Sequence, residues 1–138
     1  MTEQAFRRSI DSVAELYRFA EDLFDDQGIT EAVRFPVHLA LEELFTNLVK
    51  YNTGGQPDIL VDVDARNGGI AVTITDVDVD DFDVTRASKV DTAASLKERK
   101  PGGLGLHLIQ HMVDTLEYDY RDRRSRIRFT KEPRQGDV

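Results

Sequence analysis

The chain has 138 residues, 40% of them hydrophobic, no cysteine and a net charge of -8. That length and apolar content fit one domain around one continuous core. The acid excess argues against neutralisation of nucleic-acid phosphates and points to a protein or a metal-shielded anion as partner, while the lack of cysteine excludes disulfides, thiolate metal sites and a Cys nucleophile.

Glu3, Arg7, Arg8 and Asp11 interrupt any signal-peptide apolar segment, and no apolar run approaches the length of a membrane span. The expectation is a cytoplasmic protein with no membrane segment and no direct nucleic-acid contact. Over 11–25, Val13, Leu16, Tyr17, Ala20, Leu23 and Phe24 recur at the spacing of an amphipathic helix, which Gly28 ends. A longer helix is expected from Thr30 or Glu31 to Tyr51, with Val37, Leu41, Leu44 and Leu48 on one stripe and Phe45 and Val49 widening it. Pro36 predicts a separate first turn, with the regular helix starting near it.

From Asp58 the period changes to two: Ile59, Val61 and Val63, then Asn67, Gly68 and Gly69, then Ile70, Val72 and Ile74, which reads as a hairpin. An acidic stretch fills 76–83, and 84–100 reads as a polar surface loop. Glycines then open a helix carrying Leu106, Leu108, Ile109, Met112 and Val113. Two strands are expected at about 116–121 and 125–130, with Arg123 and Arg124 near their turn, followed by a disordered tail over 132–138. The domain therefore spans 1–131, and the element order gives an α+β fold with helices on one face of a sheet.

Three features carry chemistry. Glu43 and Asn47 are four apart on one helix face, with Lys50 a turn further on. A carboxylate and an amide placed there suit a general base and an oxygen ligand for a hard cation, although the same pair is at home on a solvated helix face. Gly102, Gly103, Leu104 and Gly105 open a helix, so that backbone N–H groups can approach a phosphate, with Lys97, Arg99 and Lys100 just before; a tight turn alone would use the same glycines. Asp76 at a strand end can accept from an adenine amino group and reject a keto base. It leads five aspartates in eight residues, which also read as a Ca²⁺ loop or a solvated acidic loop, though without the glycine and terminal glutamate of the EF-hand pattern.

In this order the three features resemble the nucleotide-binding boxes of the GHKL ATPases, and the stretches LEELFTNLVKY and GGLGLHLIQHMVDTLEYDY resemble those of single-domain anti-sigma-factor serine/threonine kinases over residues 5 to 131. The resemblance implies a Bergerat-type two-layer α/β sandwich with a mixed, mainly antiparallel sheet. It implies ATP and Mg²⁺ as cofactors, Glu43 as catalytic base and Asn47 as metal ligand. Nucleotide contacts are implied for Asn47, Lys50, Asp76, Asp78, Gly102, Gly103, Leu104, Gly105 and Leu106. The implied activity is phosphorylation of a serine on an anti-anti-sigma protein in transcription control, with a sigma factor as second partner and a homodimer as assembly. One departure stands out: Asp78 occupies the place of the glycine in the family's Asp-x-Gly box, and one extra residue precedes Phe82. That departure favours the alternative of a non-catalytic or weakened anti-sigma or adaptor module that acts by sequestering partners.

Overall fold

A computed structural model of the chain describes residues 2–52, 54–83, 85 and 103–134. The loop read at 84–100 apart from Thr85, the basic residues Lys97, Arg99 and Lys100, the implied nucleotide contact Gly102 and the last four tail positions lie outside the described residues. In chain order the elements are β1 (Thr2–Arg7), a 3-10 turn (Ile10–Ser12), α1 (Val13–Gln27), α2 (Glu31–Tyr51), β2 (Asp58–Arg66), β3 (Gly69–Val77), α3 (Gly103–Met112), β4 (Thr115–Arg121) and β5 (Arg124–Lys131). The strands form one sheet in the order β1-β2-β3-β5-β4, with every pairing antiparallel.

The period-two residues face the helices as expected. Ile59, Val61 and Val63 of β2, Ile70, Val72 and Ile74 of β3, and Ile127 and Phe129 of β5 are all buried. They meet Val37, Leu41, Leu44, Phe45 and Leu48 of α2, Leu16, Ala20 and Phe24 of α1, and Leu106 and Ile109 of α3 in one core. Both hairpins close through two residues with positive φ: Asn67 and Gly68 between β2 and β3, Asp122 and Arg123 between β4 and β5. Positive φ at both central positions matches the turn twist to the strand twist.

Besides a sheet that is wholly antiparallel among the described residues where a mixed, mainly antiparallel one was expected, two details differ from the sequence reading. Thr2–Arg7 pairs antiparallel with β2, from Thr2↔Val63 to Arg7↔Asp58, and forms an edge strand that periodicity did not reveal. Only Phe6 of its six residues is buried, so no alternation of apolar residues marks it. Phe6 packs edge-on to Phe19 at 5.3 Å between ring centroids and to Phe45 at 6.5 Å, which ties the edge strand to α1 and α2. The second difference is that α2 runs unbroken through Pro36. Its first turn is fixed independently, because the N–H groups of Val33 and Arg34 both donate to the Thr30 carbonyl and the Arg34 side chain bonds the Ile29 carbonyl, Glu21 and Asp25. Burial of Pro36 beside that anchored turn outweighs the one ladder bond its missing N–H forfeits. At the end of α1, Gly28 adopts φ 64 and caps the helix as expected.

Phe6→Ala is expected to lower unfolding free energy by about 3–5 kcal/mol, the usual loss for a buried aromatic cut to alanine. Urea denaturation measures it, and a loss below about 1 kcal/mol would make β1 dispensable to the core.

Candidate functional site

The phase of β3 decides where Asp76 points. Ile70, Val72 and Ile74 face the helices, so Asp76, two residues further, faces them too and is fully buried. A buried carboxylate needs a counter-charge and hydrogen bonds. Arg8, just past the end of β1, supplies both: its Nη1 donates to Asp76 Oδ2 at 3.1 Å and its Nη2 to Oδ1. Asn52, the C-cap of α2, donates Nδ2–H to Oδ2 at 3.2 Å. Arg8 is itself seated by the following loop, with Nε donating to the Gln56 carbonyl at 3.1 Å and its backbone N–H to the Pro57 carbonyl at 2.7 Å. Across the ladder, Ser125 of β5 is the partner of Asp76, and its buried Oγ has no hydrogen-bond partner among the described residues.

A second cluster lies where α2 meets α3. Glu43 is half-buried, Asn47 is buried and Lys50 is exposed near the end of α2. Gly105 in α3 sits against the Glu43 carboxyl group, so closely that a Cβ there would lie between 2.5 and 2.7 Å from its atoms. Glu43 Oε1 is buried with no hydrogen-bond partner among the described residues. Burial raises the Glu43 pKa from its ordinary value of 4.5, against the opposing pull of the Asn47 amide and the Lys50 charge. Leu106 turns its side chain into the core, which leaves only its backbone to face a ligand.

Asp78 takes φ 64, a left-handed conformation that glycine adopts without cost and that aspartate tolerates better than most residues. The chain therefore follows the course of a glycine at the position where the box departs from its pattern. The exposed Asp78 side chain accepts from Gln56 Nε2 at 2.8 Å and lies 3.6 Å from Arg123 Nε. The other acids of the stretch each have a partner, and Asp80 shares Arg123 with Asp78. Asp80 accepts from Arg123 Nη1, Asp81 from the Tyr118 hydroxyl, and Asp83 from Thr85. Burial, with the Asp81 carboxylate beside it, pushes the Tyr118 phenol upward and keeps it a donor. Among the described residues no three His, Cys, Asp or Glu side chains converge on one point as a metal cage.

Of the residues that the sequence singles out, the fold sets Gly105 against Glu43 and, through Asn52, ties the α2 end to Asp76. Arg8, Asn52 and Ser125 surround Asp76 without having been singled out in the sequence. Asn52 and Ser125 carry a usable signal, a polar residue in phase with a buried stripe or opposite a buried carboxylate. Arg8 carries none, because its partner is 68 residues away.

A family model described as a histidine kinase-like ATPase domain matches residues 6–131. In fold the chain is similar to the crystal structure of the RsbU and RsbW domains of Rv1364c from Mycobacterium tuberculosis, with a TM-score of 0.60 and 11% identity over 96% of this chain. The chain spans 32% of the length of that structure. No curated protein matches it significantly.

Folding favours the protonated form of Glu43, a contribution complete below the ordinary value of 4.5 and lost as the pH rises through the raised folded value. Glu43→Gln, which cannot ionise, is expected to melt above the parent protein at pH 7, with the gap closing as the pH falls below 4.5. A gap that stays constant with pH would refute the burial of this charge. At the left-handed position, Asp78→Gly should leave stability within about 1 kcal/mol of the parent and Asp78→Val should cost about 1–2 kcal/mol more. Equal stability of the two variants would contradict the backbone assignment.

Proposed function

From the premise that this chain belongs to the histidine kinase-like ATPase domain family, we propose that it binds ATP with Mg²⁺ and phosphorylates a serine on an anti-anti-sigma partner. The observation that carries the reading is Glu43 Oε1, a buried carboxylate oxygen without a partner among the described residues, aimed at the opening turns of α3. Such an atom costs stability unless a ligand or substrate engages it. Ser125 Oγ, also without a partner among the described residues and opposite Asp76 in the ladder, supports putting the base end of the site there.

The residues fit a nucleotide on the phosphate side. Asn47, one turn along α2 from Glu43, would hold the cation, for Mg²⁺ needs few protein ligands and keeps waters and phosphate oxygens for the rest. Backbone N–H groups at the start of α3, with the helix dipole behind them, would face the phosphates, and Gly105 lets that turn approach Glu43. Bound there, ATP supplies the transferable phosphoryl group and Mg²⁺ neutralises its charge. Glu43 accepts the proton of the attacking serine hydroxyl at Oε1, and a pKa raised by burial makes it a stronger base for that proton. Asp76 reads the adenine amino group. The α2 face fixes Glu43 and Asn47 relative to each other, which suits a reaction that depends mostly on positioning.

A sigma factor and a second copy of the chain complete the proposed set of partners, and the cytoplasm is the proposed site of action. Among the described residues no helix is long and apolar enough to cross a membrane. The sequestering module is the second reading, and the Arg8 fork on Asp76 is the observation that favours it. Asp78 no longer does, since its backbone follows the glycine course.

The two readings separate on mutants assayed for radiolabelled phosphate transfer to an anti-anti-sigma protein and, in parallel, for nucleotide affinity. Asn47→Ala should weaken binding and transfer together, with residual activity demanding more Mg²⁺. Glu43→Ala should lose about 10²- to 10⁴-fold in rate while binding ATP as tightly as before or more so. Transfer at the parent rate by Glu43→Ala would remove the proposed base. A parent protein that binds its partner tightly and never transfers phosphate would establish the sequestering module.

A further inference from the structure

Asp76 offers about four lone-pair sites, and three of them are taken inside this chain. Arg8 takes one on each oxygen as a fork and Asn52 takes the second on Oδ2. A guanidinium and an adenine amino group are both N–H donors in a plane, and they seek the same acceptor. The charged donor is the stronger of the two.

The seat for Arg8 is built rather than incidental. Gly55 lies against the guanidinium, where any Cβ would overlap Nη2 and crowd the Val79 side chain. The Gln56 and Pro57 carbonyls hold the Nε–H and the backbone N–H of Arg8 from the same loop. Arg8 stands one residue past the end of β1, so its side chain can leave Asp76 without unpairing the strand. Ser125 Oγ, the cross-strand neighbour of Asp76, stays unpartnered among the described residues with the fork in place. The fork therefore satisfies the carboxylate and leaves unfilled a second polar atom on the same wall.

We infer that Arg8 is a resident competitor for the base-reading carboxylate, so that adenine gains full access to the acceptors of Asp76 by displacing the guanidinium. This rests on the reading of the chain as a nucleotide-binding domain. It assigns to the residue after β1 control of both the affinity and the base selectivity of the site. Loss of the fork frees an acceptor for a base held with its 6-position towards Asp76, where adenine presents an amino donor and guanine a keto oxygen, so adenine nucleotides gain and guanine nucleotides do not.

The test is calorimetric titration of ATP and GTP, each with Mg²⁺, into the parent, Arg8→Ala, Arg8→Lys and Gly55→Ala proteins, with circular dichroism confirming that each is folded. Gly55→Ala keeps the arginine and pushes it off its seat, which guards against failure of Arg8→Ala to fold. Both alanine variants are expected to bind ATP about 10- to 100-fold more tightly than the parent, the equivalent of one displaced charge-assisted hydrogen bond, with GTP affinity unchanged. Arg8→Lys, which keeps the charge and loses the fork, should fall between. ATP binding by the parent with equal or weaker binding by both alanine variants would overturn the competitor and leave the nucleotide reading standing. Folded variants that all ignore ATP at millimolar concentration would overturn both.

Discussion

A carboxylate carried wholly out of water must find a cation, and in this fold the need of Asp76 fixes three distant parts of the chain. The strand phase that buries Ile70, Val72 and Ile74 buries Asp76 with them. Arg8 answers from the end of β1, and Asn52 from the end of α2. The edge strand, the long helix and the central strand thus meet at one ion pair, with side-chain exposures of 9% for Arg8 and 0% for Asp76. Breaking such a pair by removing one partner is far more damaging than the net worth of the pair suggests, because the remaining charge is stranded. A ligand that offers Asp76 another donor would remove that penalty.

The long helix organises the rest. Its buried stripe packs on α1, α3, β3 and β5, which leaves its C-terminal half as a rigid rail carrying Glu43, Asn47 and Asn52. Glu43 meets Gly105, Asn52 meets Asp76, and two of the five buried side-chain atoms without partners among the described residues, Glu43 Oε1 and Ser125 Oγ, lie at these two ends.

Legibility in the sequence followed the range of the interaction. The helices and the β2–β3 hairpin show their periods, and most of the core residues those periods select are buried, though Tyr17 and Leu108, which the helical spacing also selects, are exposed. The inward aim of Asp76 follows from the same alternation. β1 was hidden because its pairing with β2 stabilises it through backbone hydrogen bonds and one phenylalanine, neither of which writes a pattern. Pro36 misled because propensity knows nothing of an anchored first turn. Asp78 read as a defect in a glycine box, yet a residue type does not report φ, and aspartate reaches the left-handed region. Arg8 was invisible for the plainest reason: only the folded topology brings it to Asp76.

The central claim is that one site runs along α2 from Glu43 to Asp76 and takes ATP with Mg²⁺. Nuclear magnetic resonance of the backbone and side-chain amides during an ATP–Mg²⁺ titration tests it most directly. Binding at this site would give saturable shifts concentrated at Asn47, Asn52, Gly105 and Ser125, with the Arg8 Nε resonance moving as its fork on Asp76 is disturbed. Absence of shifts at millimolar ATP, or a saturable set confined to another face of the sheet, would contradict it.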